Sequence, residues 1–396
     1  VNSALFDLYT NLRGLENSRA IIQAWTQSFE RTHHFVAPQF EVEEDFFSDS
    51  DVANGVAGRE AYERVIQQQV AIVDRVRDGD FDVARRFARE LVVEQQRSGT
   101  AEHIAKSLSN LSQRAKELEV YELALEWARQ AVEIKGDDAV AHAQLADILM
   151  RVGRYVEASH HLDLAQSFGE EGFAASGRAR ILRYLGQYAE ALEAYRAAYE
   201  RTKAHGDRAH FDLAGIAECL RDLEMLDDAL AAYDDALAKF EYESVLHAGR
   251  AATLVEMGRF EEAFDGYVVA KRLDSKNAVP RNGIASLQRR AGQFERAETG
   301  FRAIIADYPF DSHARGGLVG LLRDMGRYEE AVAEAQTLVD YLPASSDARW
   351  SLVDAQIDAR QFAAAEATLE MAVEDQRHVD GLRGARARIE KAKGNY

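Results

Sequence analysis

Few side chains in this sequence have the type and spacing to do chemistry. His33-His34 and His160-His161 are adjacent pairs, and on a helix neighbouring side chains diverge by ~100°, so neither pair easily shares a metal ion. Surface or capping roles are expected for them. Asp49, Asp51 and Glu60 occupy the first, third and twelfth places of a calcium-loop pattern, but Ala53 and Asn54 stand where an oxygen ligand and the turn glycine belong. The single cysteine, Cys219, falls in an apolar helical stretch, where burial favours an inert thiol over a redox centre. The sequence shows no phosphate-cradling glycine loop, HExxH, CxxC or nucleophile elbow. No catalytic residue, metal or cofactor is therefore expected, and acidic pairs such as Asp227-Asp228 and Asp234-Asp235 read as solvated helix faces.

Composition narrows the remaining classes. The 396 residues carry 48 Lys and Arg against 67 Asp and Glu, a net charge of −19, and that field repels phosphate backbones and anionic lipid. Nucleic acid is a disfavoured partner. A hydrophobic content of 47% suffices to bury a core, while only 4 prolines and no apolar run near ~18 residues point to a mostly helical chain without a membrane span. One cysteine fits a reducing compartment, so the cytoplasm is the expected location. The sequence opens on Val1 rather than methionine, which leaves open what precedes it.

The elements that must position any site repeat. A string of Gly, basic or Gln, aromatic, any residue, Glu or Arg, Ala stands at Gly153–Ala158 and returns at Gly186, Gly258, Gly292 and Gly326, with weaker copies at Gly79, Tyr121, Leu226 and Phe362. Its aromatic position falls at residues 81, 121, 155, 188, 226, 260, 294, 328 and 362, mostly 34 apart, with longer steps before Tyr121 and Leu226. Apolar residues at helical spacing precede each turn (Leu145, Ile148, Leu149) and follow it (Ala191, Tyr195, Ala198), so each unit reads as helix A, turn, helix B. Pro309 and Pro343 stand where helix B should stop, and Pro280 in the first turn of a helix A.

These units resemble the tetratricopeptide repeat superfamily over roughly residues 65 to 377. The resemblance implies an all-α, right-handed superhelical solenoid of about nine helix-turn-helix repeats with capping helices at both ends. The expected boundaries are an N-terminal helical and acidic capping segment at 1–58, the solenoid at 59–377 and a C-terminal capping helix at 378–396. The family's helix A tryptophan is absent, with Arg281, Arg315 and Arg349 in its place in the last three units. In the N-terminal segment, the acidic aromatic run Glu41 to Phe47 reads as part of a cap or as a docking or autoinhibitory strip. At the other end Leu382, Ala385 and Ile389 share one helix face amid arginines and lysines.

The resemblance also places helices A on the concave inner face, where partners lie. In that register Gly177, Gly215, Gly249, Gly283 and Gly317 share one inward position. A mid-helix glycine costs roughly 1 kcal/mol against alanine, so the row reflects either close helix packing or a smooth channel for a partner's backbone. Arg180, Arg183, Arg221, Asn282, Arg289, Arg290 and Arg323 stand near it, with Phe173 and Phe211 one turn earlier. Arginine's planar fork suits carboxylates, yet Glu218, Asp222, Glu256 and Asp324 lie close enough in sequence for inter-repeat ion pairs. In the last unit Asp347, Trp350, Asp354 and Asp358 give the inner face an acidic character. The expected function is a non-catalytic interaction scaffold holding a protein or peptide, with acidic side chains or a free C-terminus as the recognised group. A sensor arm of a larger effector is the alternative, self-association is compatible with either, and a single-stranded RNA reader is disfavoured by the charge.

Overall fold

A computed structural model of the chain describes residues 49–98, 100–203, 209–341, 346–373 and 379–394. The N-terminal expectations for residues 1–48, His33-His34 included, lie outside the described residues. Packing divides the chain into two units, Val1–Arg64 and Val65–Tyr396. Of the first, the described part is helical, the opening turns of α1 (Asp49–Arg77). Residues 49–60 are thus continuous helix rather than a calcium-binding loop, which adds to the missing ligand and glycine.

The described residues form nineteen helices and no strand, an all-α helical repeat solenoid. After α1 comes α2 (Phe81–Ser98), then the pairs α3 (Ala101–Glu117) and α4 (Tyr121–Ile134), α5 (Ala139–Arg151) and α6 (Tyr155–Ser167), and α7 (Glu171–Tyr184) and α8 (Tyr188–Thr202). The next pairs are α9 (Ala209–Asp222) with α10 (Leu226–Leu237), and α11 (Ser244–Glu256) with α12 (Phe260–Leu273). They are followed by α13 (Ala278–Arg290) with α14 (Phe294–Asp307), and α15 (Ser312–Asp324) with α16 (Tyr328–Tyr341). The series ends with α17 (Ser346–Asp358), α18 (Phe362–Val373) and α19 (Val379–Lys393). Each aromatic or leucine of the repeated string opens a helix B. No described helix is long and apolar enough to cross a membrane.

The turns explain the glycine of the string. Gly79, Gly153, Gly186, Gly258, Gly292 and Gly326 all hold φ between 72° and 82°, where a side chain is strained. In the three copies lacking glycine, Glu119, Glu224 and Arg360 take the same left-handed conformation at φ of 57° to 61°. The long step before Tyr121 is absorbed by helices of 18 and 17 residues, α2 and α3. Where the family's tryptophan is missing, Arg281 pairs with Asp307 at 2.7 Å and Arg315 with Glu334 at 2.9 Å, so a charged bridge to helix B of the same unit replaces an apolar contact.

Close packing holds each pair together. The alanine three places into every helix B, Ala84, Ala124, Ala158, Ala191, Ala229, Ala263, Ala297, Ala331 and Ala365, is 0% exposed, so a larger side chain has no room there. Consecutive helices A touch along the stack, while successive helices B do not approach as closely among the described residues. The stack therefore curves with its helices A inside. A bulky side chain four places beyond that alanine seats on the next helix A: a Cβ built on Gly177, Gly215, Gly249, Gly283 or Gly317 would lie 2.3 to 2.7 Å from Leu162, Tyr195, Tyr233, Tyr267 or Phe301 respectively. Where that helix B residue is small instead, at Ala88, Ala128 and Ala335, the facing position is Asn110, Gln144 and Ser351. The glycine row is thus a set of sockets for aromatic and leucine side chains, and the bare channel for a partner's backbone is corrected on that ground.

Gly249→Ala is expected to destabilise the chain by about 1–3 kcal/mol, because the Tyr233 ring is buried and cannot swing clear. In a Tyr233→Ala background, itself destabilised by the lost ring, the added cost of Gly249→Ala should be smaller. Chemical denaturation of the two single variants and the double variant measures the coupling, and strictly additive losses would contradict the socket.

Candidate functional site

The inner face of helices A brings together most of the residues singled out above, and it brings them together as ion pairs. Arg183 on α7 donates through Nε to Asp222 on α9 at 2.5 Å and also pairs with Glu218. Arg221 on α9 reaches Glu256 on α11 at 3.3 Å. Arg289 on α13 meets Asp324 on α15 at 2.6 Å, and Arg323 on α15 meets Asp358 on α17 at 2.7 Å and Asp354 at 3.4 Å. In each link an arginine in the last turn of one helix A bonds a carboxylate one residue further along on the next. The acids that follow Arg221 and Arg323 in sequence therefore serve the preceding repeat.

At the N-terminal end of this ladder Asp147 on α5 is the hub. Lys116 on α3 lies 2.9 Å away, Arg180 on α7 2.5 Å, and Arg151 on its own helix 3.6 Å. Burial pushes its carboxyl up, but the charges of Arg180, Lys116 and Arg151 outweigh it and hold it at about 2. Asp147 was not among the expected site residues. Its position eight residues before helix B, shared with Arg180, Glu218 and Asp354, is the signal in the sequence.

The remaining expected residues divide. Asn282 donates to the capping carboxylate of Asp311 at 3.2 Å and Phe173 packs on the Leu162 cluster, so both serve the stack. Phe211 is 52% exposed with its ring against His210, and it stays available. Arg290 is exposed and stacks 4.1 Å over Phe260, with no carboxylate partner among the described residues. The acidic character expected of the last unit is corrected: Arg323 and Arg388 neutralise Asp354 and Asp358, and Trp350 packs on the Val353 cluster. The side chain of Asp347 lies outside the described residues. Cys219 is fully buried, and burial pushes its thiol up to about 12, which leaves it protonated and unreactive. His161 stacks on His142, a residue not singled out in the sequence, with their Nδ1 atoms 2.9 Å apart. No cluster of three or more His, Cys, Asp or Glu suited to a metal occurs among the described residues.

From α7 to α17 the ladder is interrupted once among the described residues. Between α11 and α13 the arginine and carboxylate positions hold Val255 and Arg290, and nearby Ala252 and Ser286 present small side chains to the inner face. Gly320 on α15 lies beneath the Arg289 guanidinium, where a Cβ would come within 2.4 Å of Nη1. The result is a stretch of inner wall with small side chains beside two arginines.

Family models match three parts of the chain: a tetratricopeptide repeat-like domain over residues 46–214, and tetratricopeptide repeats over 282–333 and 322–389. Among solved structures the chain is similar to a tetratricopeptide repeat protein from Parabacteroides merdae, at 20% identity and a TM-score of 0.44, over 57% of this chain and 88% of that one. TTC0263, a thermophilic repeat protein from Thermus thermophilus, matches at 19% identity and 0.43, over 47% and 99%. Human IFIT1, solved as a dimer with m7Gppp-AAAA, matches at 16% identity and 0.45, over 65% and 66%. No curated protein matches the chain in sequence.

Two falls in stability are expected on acidification. Burial, then the charges of His142 and His160, hold His161 at about 4 against its ordinary 6.5, so the unfolded chain takes up this proton first and stability drops as pH falls from about 6.5 to 4. Asp147, held at about 2 against 3.8, contributes stability that is lost as pH falls from about 3.8 to 2, worth about 2 kcal/mol. Denaturation midpoints across this range check both. His161→Gln should remove the first step and Asp147→Asn the second, the latter with a loss of about 3 kcal/mol at neutral pH because its cationic partners are left unpaired.

Proposed function

The chain belongs to the tetratricopeptide repeat superfamily, and from that premise we propose that it is a non-catalytic scaffold whose inner face takes an extended segment of a partner protein at α11 to α15. The observation that carries this reading is the gap in the ladder. Elsewhere the inner arginines are committed to carboxylates of an adjacent helix A, and a partner would have to break those pairs. At the gap Arg290 has no carboxylate among the described residues, Arg289 remains a third exposed beside its bond to Asp324, and Ala252 and Ser286 leave room for a peptide backbone. A carboxylate on the partner completes what the ladder omits there, since an arginine fork binds both carboxylate oxygens.

The net charge of −19 supports a local rather than global attraction, with two arginines acting at short range inside an acidic molecule. The same charge weighs against nucleic acid as the occupant. Committed arginines such as Arg183 and Arg323 support the stack and would affect a partner indirectly, through curvature.

A photo-crosslinking residue placed at Ser286, and in a control at the exposed Asp265 on α12, tests the reading in cells. Adducts are expected from position 286 and not from 265. Arg290→Glu should weaken the recovered partner at least tenfold and flatten the salt dependence of what remains, with helical content unchanged. Adducts from position 265 alone would place the partner on the outer helices and refute the proposal.

A further inference from the structure

Contacts in a stack of repeats run between neighbours, and hydrogen bonds between helix pairs here join residues such as Arg85 and Glu126, 41 apart. A bond between the start of α15 and the turn after α3 departs from this. The Ser312 N–H donates to the Glu119 carboxylate at 3.1 Å across 193 residues. Ser312 opens α15, where the first N–H groups of a helix lack intrahelical acceptors, and Glu119 sits in the turn between α3 and α4. The turn of one pair and the start of a helix six pairs further along thus meet.

The contact has an apolar half. Phe310 lies in the loop between α14 and α15, yet it is 3% exposed. Its ring is 5.6 Å from Phe81, the first residue of α2, and 4.6 Å from Tyr341 in an edge-on arrangement. It belongs to the same apolar cluster as Ile72, Val76 and Leu118 of the first pairs, and Tyr308 packs on both this cluster and that of α13 to α17. The loop positions corresponding to Phe310 in the neighbouring units hold Lys276 and Ala344, so an aromatic there is not part of the repeat.

We propose that these residues form an openable clasp, which closes the Val65–Tyr396 stack on itself and sets how far its inner face is open. The clasp joins one turn and one loop to the ends of helices such as α2 and α15, with no extensive helix-on-helix interface between the early and late pairs among the described residues, so its release leaves the neighbouring pairs packed on one another. Small rotations at successive repeats add up, and a contact between distant repeats opposes their sum. Glu119 itself is poised: it holds φ of 61° where most turns carry glycine, and it is half-buried beside the Asp311 carboxylate. Burial raises its carboxyl, opposed by the Ser312 hydrogen bond and by His313. The partial burial of this carboxylate beside Asp311 is relieved when the clasp opens, while the turn keeps the left-handed backbone it shares with Glu224 and Arg360. The consequence for partner access rests on the inner-face reading above, whereas the clasp itself does not.

Phe310→Asp and Glu119→Ala in the full chain test it without any partner. In Phe310→Asp the Ser312 amide, unaltered itself, should exchange its hydrogen at least tenfold faster as its acceptor moves away. In Glu119→Ala the radius of gyration from small-angle scattering should rise, with helical content by circular dichroism unchanged. Glu119→Gln should stay compact, because the amide oxygen still accepts the bond and carries no charge. If Phe310→Asp loses helical content, the contrast between the Ala and Gln variants decides alone. An unchanged radius in Glu119→Ala, or equal expansion in Glu119→Gln, would overturn the clasp whatever the crosslinks at Ser286 show.

Discussion

The spacing of the stack depends on a fit between one bulky side chain and one missing side chain. Tyr195, Tyr233, Tyr267 and Phe301 cross from a helix B to the next helix A and rest where Gly215, Gly249, Gly283 and Gly317 have no Cβ. Seating a ring on a helix backbone buries large apolar area, and it lets adjacent helices A approach on the inner side. The alternative solution, a small residue facing a polar one as in Ala128 and Gln144, appears in the same chain at the same positions. Five bulky residues face five glycines, so the helix cost of each glycine is offset by packing and needs no ligand to explain it.

Once helices A are close, their last turns come within reach of one another and the charges follow. The ladder from Arg183 to Asp358 is a consequence of that approach, since an arginine fork spans a neighbouring helix only at such separations. Exposed pairs of this sort each contribute little, but Arg183, Arg221 and Asp147 are largely buried, where removal of one partner leaves an uncompensated charge. The ladder therefore fixes register as much as it stabilises. Its gap between α11 and α13 gains meaning from the regularity on both sides.

Curvature accumulated over six pairs then brings Glu119 and Phe81 to the loop of Phe310. The clasp depends on every socket between them, because a change in the rotation at one repeat displaces the far end by several times as much. A socket variant such as Gly249→Ala would act on the clasp at a distance in the same way. Packing, charge ladder and closure are successive effects of one local geometry.

The sequence by itself determined the repeat, its register and its helix boundaries. Turn glycines, the buried alanines and the aromatic that opens each helix B act within one or two helical turns, and local spacing carries such information. It also placed the arginines and their candidate acids on one face. It could not decide between a partner and a neighbouring helix as the arginines' ligand, because that depends on the distance between helices A, set by side chains such as Tyr233 that lie sixteen residues before the glycine they cover. Asp147 was missed for the same reason, its three cations coming from three helices. Glu119 and Phe310 were beyond reach altogether: their contact arises from rotations summed over six repeats, a quantity that no local pattern encodes and that the folded stack alone fixes.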